Sequence, residues 1–161
     1  MIKITKNRSS VGKFYPVSPL IVWDIITDTS QWPRWGPTVK NVQLSERYIS
    51  TGSKGQVLTS LGVWLPFIID EYEYGSFWSW KVATIKATGH RVQESEKGGS
   101  NLWFEIPMIA APYTIVCQLA LGRIENCWVT RTKSRSTGGS WATLGCTING
   151  ATIPTASCIA T

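Results

Sequence analysis

The chain has 161 residues, which is enough for one domain with a sizeable hydrophobic core. Its formal net charge is +6, but the basic residues are scattered among acidic ones, so we expect no nucleic-acid partner. No apolar run approaches the roughly 20 residues of a membrane-spanning helix, and the first residues lack the apolar core of a signal peptide. We therefore expect a cytoplasmic protein.

The four cysteines and the single histidine, His90, bear on metal and cofactor chemistry. No Cys-x-x-Cys motif is present and no cysteine is close to His90 in the sequence, so the pattern predicts neither a zinc site nor a disulfide framework. Phosphate-binding glycine loops, dinucleotide fingerprints and nucleophile elbows are also missing from the sequence. We expect no metal and no cofactor.

A strand is predicted over 9–15, followed by a short helix and a proline-rich turn. Ser18 can cap a helix that accepts Pro19 in its first turn, because the hydroxyl satisfies an orphan N–H and proline lacks one. The prolines of the run QWPRWGP, over 31–37, force the residues before them out of the α-helical conformation. The helix must therefore end here, and the chain extends into a strand that begins at Val39.

The middle of the chain predicts a series of strands separated by glycines. Gly98-Gly99 suits a hairpin turn with positive φ. With the strand over 9–15, the pattern predicts seven antiparallel strands. The other six cover 39–44, 55–61, 67–74, 77–85, 90–96 and 101–107.

Alternation along these strands predicts which side chains face the interior. Lys81, Arg91 and Glu105 should point to solvent, which turns their sequence neighbours inward. For the strand over 67–74 the pattern does not decide between its two faces, and we favour as the inner one the face that contains Ile68, Asp70, Tyr72 and Tyr74. The predicted inward residues of the later strands are Trp78, Trp80, Val82, His90, Val92, Leu102, Phe104 and Ile106.

The period changes to that of a helix over 109–126, with one polar and one apolar stripe. The apolar stripe contains Tyr113, Val116, Leu119, Ala120 and Ile124.

From Cys127 onward the chain has no acidic residue and no sustained periodicity. We therefore predict a folded domain over 1–126 and an atypical, weakly ordered tail over 127–161. Truncation after Asn126 should leave the domain folded.

Two blocks of sequence resemble the START-like (SRPBCC) superfamily of helix-grip proteins, and within it the polyketide cyclase/dehydrase and lipid-transport branch. The first block contains Pro19, Val22-Trp23, Asp28, Trp32, Trp35 and Pro37. The second contains the glycines Gly52 and Gly55, the runs Asp70-Glu71-Tyr72 and Phe77-Trp78-Ser79-Trp80-Lys81, and His90-Arg91-Val92. The resemblance implies an α+β fold, in which a curved seven-stranded antiparallel sheet wraps around a long C-terminal helix and two short helices follow strand 1.

The resemblance also implies a cavity between the sheet and the long helix. We expect a carrier or sensor that binds a hydrophobic or amphipathic small molecule such as a lipid, an isoprenoid or an aromatic polyketide. The expected ligand-binding residues are Trp78, Trp80, Val82, Val92, Leu102, Phe104, Tyr113, Val116 and Ala120.

Two other classes of function stay open at this point. The first is a cyclase/dehydratase-like enzyme that uses His90 with Asp70 or Tyr72 as an acid/base pair. The second is a protein-interaction module. The structural alternative for His90 is a core histidine satisfied by a neighbouring carboxylate, and the indole N–H of Trp80 needs an acceptor, which a ligand carbonyl or Asp70 could supply. A transient membrane or protein partner and the oligomeric state are left open by the sequence.

Overall fold

The computed structural model describes residues 1–5, 8–107, 113–137, 146–148 and 151–153, with side chains over 1–2, 9–107 and 113–129. The chain divides into two compact units, Met1–Arg131 and Thr132–Thr161. The first unit contains the sheet, the short helices and most of a long helix. The second contains the end of that helix and a small hairpin formed by β9 (Cys146–Ile148) and β10 (Ala151–Ile153).

The first unit is built on one antiparallel sheet with strand order β1-β2-β8-β7-β6-β5-β4-β3. The seven predicted strands are all present, and a short N-terminal strand, β1, pairs with β2 at one edge. Strands β3 to β8 follow one another as neighbours, and β2 closes the order by pairing with β8. The strands are β1 (Ile2–Thr5), β2 (Arg8–Tyr15), β3 (Val39–Gln43), β4 (Lys54–Thr59), β5 (Trp64–Glu73), β6 (Phe77–Val82), β7 (Ile85–Glu94) and β8 (Ser100–Pro107).

Two short helices follow β2, as the sequence predicts. Helix α1 (Pro19–Thr27) begins at Ser18, whose hydroxyl accepts a hydrogen bond from the backbone N–H of Leu20 at 3.4 Å. A 3₁₀ turn (Thr29–Gln31) and helix α2 (Trp32–Trp35) come next. The prediction that the residue before each proline leaves the α-helical conformation is wrong for Trp32, which precedes Pro33 and begins α2, because proline is tolerated in the first turn of a helix. It is confirmed for Gly36, which precedes Pro37 and is extended, so α2 ends there before β3 extends from Val39.

The buried carboxylate of Asp28 fixes this junction. It accepts hydrogen bonds from the backbone N–H of Ser30 at 3.0 Å and from the guanidinium of Arg47 at 2.7 Å. Burial by itself raises the pKa of Asp28, but the hydrogen bonds from Arg47 and Ser30 outweigh it and hold that pKa below its usual value. Asp28 is therefore ionised near neutral pH.

Two hairpin turns of the sheet each have two successive residues with positive φ, but only one of these turns contains glycines, which adopt such angles without strain. Gly98 and Gly99, between β7 and β8, both have positive φ, as predicted. The two-residue turn between β6 and β7 also has positive φ at both positions, 47° at Ala83 and 71° at Thr84. A β-branched residue is strained in this conformation, so Thr84 stores conformational energy at the tip of that hairpin.

The long helix α3 runs from Thr114 to Thr137. Residues 109–112 of the predicted helix lie outside the described residues, and the helix continues beyond Asn126. Leu119, predicted to face inward, is 55% exposed, so that prediction is wrong. The buried residues of α3 are Cys117, Ala120, Leu121, Ile124 and Cys127.

Part of the predicted tail belongs to the core of the first unit. Cys127 is buried in the core and Trp128 packs against it. The domain boundary predicted after Asn126 would thus exclude Cys127 and Trp128 from the domain whose core they contact. Trp141 and Leu144, which could also have packed on the domain, lie outside the described residues.

The interior between the sheet and the helices is filled largely by aromatic rings. The indoles of Trp32 and Trp78 lie nearly parallel, 2° apart with centroids at 5.5 Å, and Trp80 packs edge-on against both. Phe67 contacts Trp32 and Trp80. Core packing therefore accounts for Trp32, Trp78 and Trp80.

Candidate functional site

Two adjoining cavities lie on the inner face of the sheet, where it meets the beginning of α3. The inner chamber has a volume of about 30 Å³. The outer groove has a volume of about 290 Å³. The two share five lining residues, which mark the boundary between them: Thr38, Val39, Trp80, Thr88 and Tyr113.

The inner faces of β6, β7 and β8 are those that alternation predicts. Lys81 pairs with Asp70, and Arg91 pairs with Glu105, on the outer face of the sheet. The residues directly before and after Lys81, Arg91 and Glu105 therefore point inward. Of the expected ligand-binding residues, the inner chamber is lined by Trp78, Phe104, Val116 and Ala120. The outer groove is lined by Val82. Both cavities are lined by Trp80 and Tyr113. Val92 and Leu102 are buried in the core, and the described lining of neither cavity includes them.

His90 is a core histidine at the wall of the inner chamber. It is 2% exposed, and its ring stacks on Trp78 with centroids 3.8 Å apart. Burial lowers the pKa of His90 from 6.5 to about 3, and the nearby backbone carbonyl of Trp78 opposes this only weakly. His90 is therefore neutral near pH 7, and no carboxylate satisfies it among the hydrogen bonds of the described residues.

A short relay of side chains joins Trp80 to His90. The indole N–H of Trp80 donates to the hydroxyl oxygen of Thr88 at 3.1 Å. That oxygen lies 3.4 Å from Nε2 of His90. Since the Thr88 hydroxyl already accepts from Trp80, its own hydrogen is free to be donated to His90, and neutral His90 then carries its proton on Nδ1. Thr88, not Asp70, is thus the acceptor that Trp80 needed.

The predicted inner face of β5 is wrong for Ile68 and Asp70, and also for Tyr74, which follows β5 and is 77% exposed. A bulge between Ile69 and Glu71 inserts an extra residue, which reverses the alternation within the strand. Ile68 lies opposite Lys81 on the outer face, and the carboxylate of Asp70 bonds the ammonium of Lys81 at 2.6 Å. Because His90 faces inward, the structure does not bring Asp70 and His90 together as an acid/base pair.

Tyr72, beyond the bulge, does face inward. Its ring packs against Trp23 of α1 with centroids 5.7 Å apart, and Trp23 also donates a hydrogen bond that partly offsets the burial raising the pKa of Tyr72. Tyr72 is outside the described lining of both cavities. It therefore lies at the α1 side of the interior, away from the chamber that contains His90.

Tyr113 and Thr38 meet at the boundary of the two cavities. Their hydroxyl oxygens are 2.7 Å apart, and the bond joins the turn before β3 to the beginning of α3. Burial raises the pKa of Tyr113, although the hydrogen bond to Thr38 opposes it, so the phenol is protonated near neutral pH. The bonded pair therefore belongs to the walls of both cavities.

Thr38, Thr88 and Trp35 are site residues that the sequence analysis missed. Thr88 shares its strand parity with His90 and Val92, so alternation could have found it. Thr38 and Trp35 belong to the irregular segment between α1 and β3, which has no period from which to predict an inward direction.

Thiol and metal chemistry find no support in the described part of the chain. It contains no cluster of three histidine, cysteine or acidic residues that could hold a metal ion. Burial raises the pKa of Cys117, which lines the inner chamber, to about 12. That thiol is therefore protonated and unreactive near neutral pH. Among the described residues, no helix is long and apolar enough to cross a membrane.

A curved antiparallel sheet, two short helices after its first long strand and a long C-terminal helix define a helix-grip fold. Solved structures of this architecture are similar to the chain. Protein NE0264 from Nitrosomonas europaea superposes with a TM-score of 0.63 at 10% sequence identity, over 81% of this chain and 99% of that one. Protein SA2116 from Staphylococcus aureus, whose function is unknown, gives a TM-score of 0.62 at 13% identity, over 80% of this chain and 98% of that one.

A third similar structure is that of Ara h 8.0201, with a TM-score of 0.58 at 12% identity, over 76% of this chain and 97% of that one. At these identities the likeness shows the fold alone. No protein-family model and no curated protein matches the chain in sequence.

Proposed function

We propose that this protein binds a small hydrophobic or amphipathic molecule between its sheet and α3, and acts as a carrier or sensor of it. The observation that carries the proposal is the outer groove of about 290 Å³, whose walls include Val57, Val82 and Ile106. Concave sites with mostly apolar walls and a few polar groups are typical of small-molecule binding. The hydroxyls of Thr38, Thr88 and Tyr113 provide those polar groups.

The size of the cavity restricts the ligand. Small-molecule sites usually have volumes of about 300–1,000 Å³, and the outer groove, at about 290 Å³, is just below that range. The deeper interior is occupied by Trp32, Trp78 and Phe67. A molecule of two or three rings, or a short isoprenoid, fits this space better than a long-chain lipid.

Within the START-like superfamily, the resemblance of the sequence to the polyketide cyclase/dehydrase and lipid-transport branch supports the same proposal. The cyclase activity itself receives no support from the geometry. Asp70 lies on the outer face, Tyr72 lies beside α1, and the depressed pKa of His90 is far from the operating range of an acid/base group at neutral pH. Binding is therefore the function we propose.

Displacement of a fluorescent naphthalene probe from the purified protein tests the proposal, together with native mass spectrometry for molecules retained from expression. Val82→Trp should fill the outer groove and weaken probe binding by at least ~10-fold, since one displaced ring loses most of its buried area. Val63→Trp is the matched control, because Val63 is exposed and is not part of the described groove lining. Equal binding by both variants, or no binding by the unmodified protein, would contradict the proposal.

A further inference from the structure

Two indole N–H groups at the inner chamber have no acceptor. Trp35 and Trp78 both line the chamber and are almost completely buried. Neither indole nitrogen has a hydrogen-bond partner among the described residues. Buried polar groups without a partner are rare in folded proteins, and each one requires an explanation such as a bound water or ligand.

The other polar side chains of the chamber do not supply that acceptor, because the hydroxyls are already paired with neighbouring side chains and Nδ1 of His90, which carries the ring proton, is itself a donor without a partner among the described residues. Thr88 accepts from Trp80 and lies within reach of Nε2 of His90. Thr38 and Tyr113 bond each other. The chamber is thus left with an excess of donors, so whatever occupies it must accept hydrogen bonds.

The size and charge of the chamber narrow the occupant further. A volume of about 30 Å³ matches one water molecule, and therefore also one oxygen atom of a larger molecule. The described residues that line it are uncharged at neutral pH, since His90 is neutral. A carboxylate there would lose its hydration without a counter-charge, and the hydrogen of an alcohol would itself need an acceptor.

We propose that the inner chamber is a carbonyl-recognition site, in which the oxygen of a small apolar ketone, aldehyde or quinone accepts from the indoles of Trp35 and Trp78. The body of the ligand lies in the adjoining outer groove and passes between Tyr113 and Trp80, which line both cavities. This inference rests on the proposed binding function and names the chemical class of its ligand.

Three probes with one carbon skeleton test this inference on the full chain: 2-acetylnaphthalene, 2-ethylnaphthalene and 1-(2-naphthyl)ethanol. The ketone should bind ~10-fold more tightly than the hydrocarbon, because it pairs two donors that the hydrocarbon leaves unpaired. The alcohol should bind more weakly than the ketone. Trp78→Phe and Trp35→Phe should each reduce the preference for the ketone while leaving the affinity for the hydrocarbon nearly unchanged.

Trp103→Phe is the matched control, because Trp103 is a buried tryptophan that belongs to the described lining of neither cavity. It should keep the full preference for the ketone. A readout that does not depend on any variant's folding is the ¹⁵N–¹H spectrum of the indole groups in the unmodified protein. The Trp35 and Trp78 signals should move downfield with the ketone and not with the hydrocarbon.

The outcomes separate the two proposals. If none of the three probes binds, the proposed function fails, and the carbonyl site fails with it. If the hydrocarbon and the ketone bind equally and the two indole signals do not move, binding is real but the chamber holds water only, and the carbonyl inference is overturned. A ketone preference that Trp103→Phe abolishes as completely as Trp78→Phe would also overturn it.

Discussion

The hydroxyl of Tyr15, at the end of β2, donates a hydrogen bond to the backbone carbonyl of Leu121 in α3 at 2.6 Å. Both residues are buried, and the bond joins the sheet to the helix that crosses it. Burial is the main reason that the pKa of Tyr15 is raised, with Glu125 contributing. The phenol therefore stays protonated, and remains a donor, at neutral and moderately alkaline pH.

Tyr15→Phe should destabilise the fold by about 0.5–1.5 kcal/mol, because it removes a buried hydrogen bond between β2 and α3. Urea denaturation followed by circular dichroism measures the change. Tyr74→Phe, at an exposed tyrosine, is the control and should have little effect. If the two variants are equally stable, the bond does not hold α3 against the sheet.

Asp28→Asn should lower the free energy of unfolding at pH 7 by about 1–3 kcal/mol, since it removes the charge from a buried carboxylate that accepts hydrogen bonds from Ser30 and from the more exposed guanidinium of Arg47. The pKa of Asp28 is lowered in the folded protein, so its contribution is present above the unfolded value of 3.8 and is lost as the pH falls through the lower folded value. The measurement is urea denaturation at pH 7 and at pH 3. The difference between the variant and the unmodified protein should shrink at pH 3, and a constant difference would refute this assignment.

Because His90 is buried and neutral, we predict that the free energy of unfolding also falls with pH in a second range, separate from that of Asp28. Because its folded pKa, about 3, is below the unfolded value of 6.5, the unfolded chain binds a proton that the folded chain does not between these limits. Stability should therefore fall as the pH drops below 6.5, by up to about 1.4 kcal/mol per pH unit for this one group. His90→Phe keeps a ring against Trp78 and should flatten the slope between pH 6.5 and pH 5. An unchanged slope in the variant would show that other groups cause it.

Thr84→Gly should stabilise the protein by about 1 kcal/mol, because glycine adopts positive φ without the steric cost that threonine has in the β6–β7 turn. Thermal melting measures the effect. Ser60→Gly, in the β4–β5 turn at a residue without positive φ, is the control and should be neutral or slightly destabilising. Equal effects of the two substitutions would show that the turn at Thr84 is not strained.

Two truncations test where the first unit ends. A chain ending at Arg131 keeps Cys127 and Trp128 on the core, whereas a chain ending at Asn126 removes both. We predict that the shorter form melts several degrees lower, in the range expected for a loss of about 1 kcal/mol or more. Equal melting temperatures would restore the boundary after Asn126 that the sequence suggested.

The sequence predicted the seven long strands, and it predicted the inner faces of β6 to β8 because each of these three strands carries a charged residue, Lys81, Arg91 or Glu105, that identifies its solvent face. It did not predict the order of the strands in the sheet, in which β2 pairs with β8. The predicted inner face of β5 was wrong because a bulge at Asp70 reverses the alternation of its side chains. No local residue pattern predicts a bulge of this kind. For α3, several neighbouring apolar residues were compatible with more than one buried stripe, so Leu119 was placed inside in place of Leu121.

The site itself was only partly accessible to sequence reasoning. Strand parity predicts the wall residues Trp78, Trp80, Val82 and Phe104, but it also selects Val92 and Leu102, which line neither cavity among the described residues. The pairing of Thr38 with Tyr113 could not be predicted, because it joins residues 75 positions apart and depends on how α3 lies across the sheet. For the same reason, the sequence could not show which indole groups would be left without an acceptor.

The parallel stacking of Trp32 on Trp78 also has an optical consequence. Two indoles this close and this parallel are excitonically coupled, and Trp80, packed edge-on against both, lies within range for energy transfer while also lining both cavities. An aromatic ketone bound in the groove would quench the emission of the whole cluster. The tryptophan cluster thus provides an intrinsic fluorescence signal with which the proposed binding can be tested without an external label.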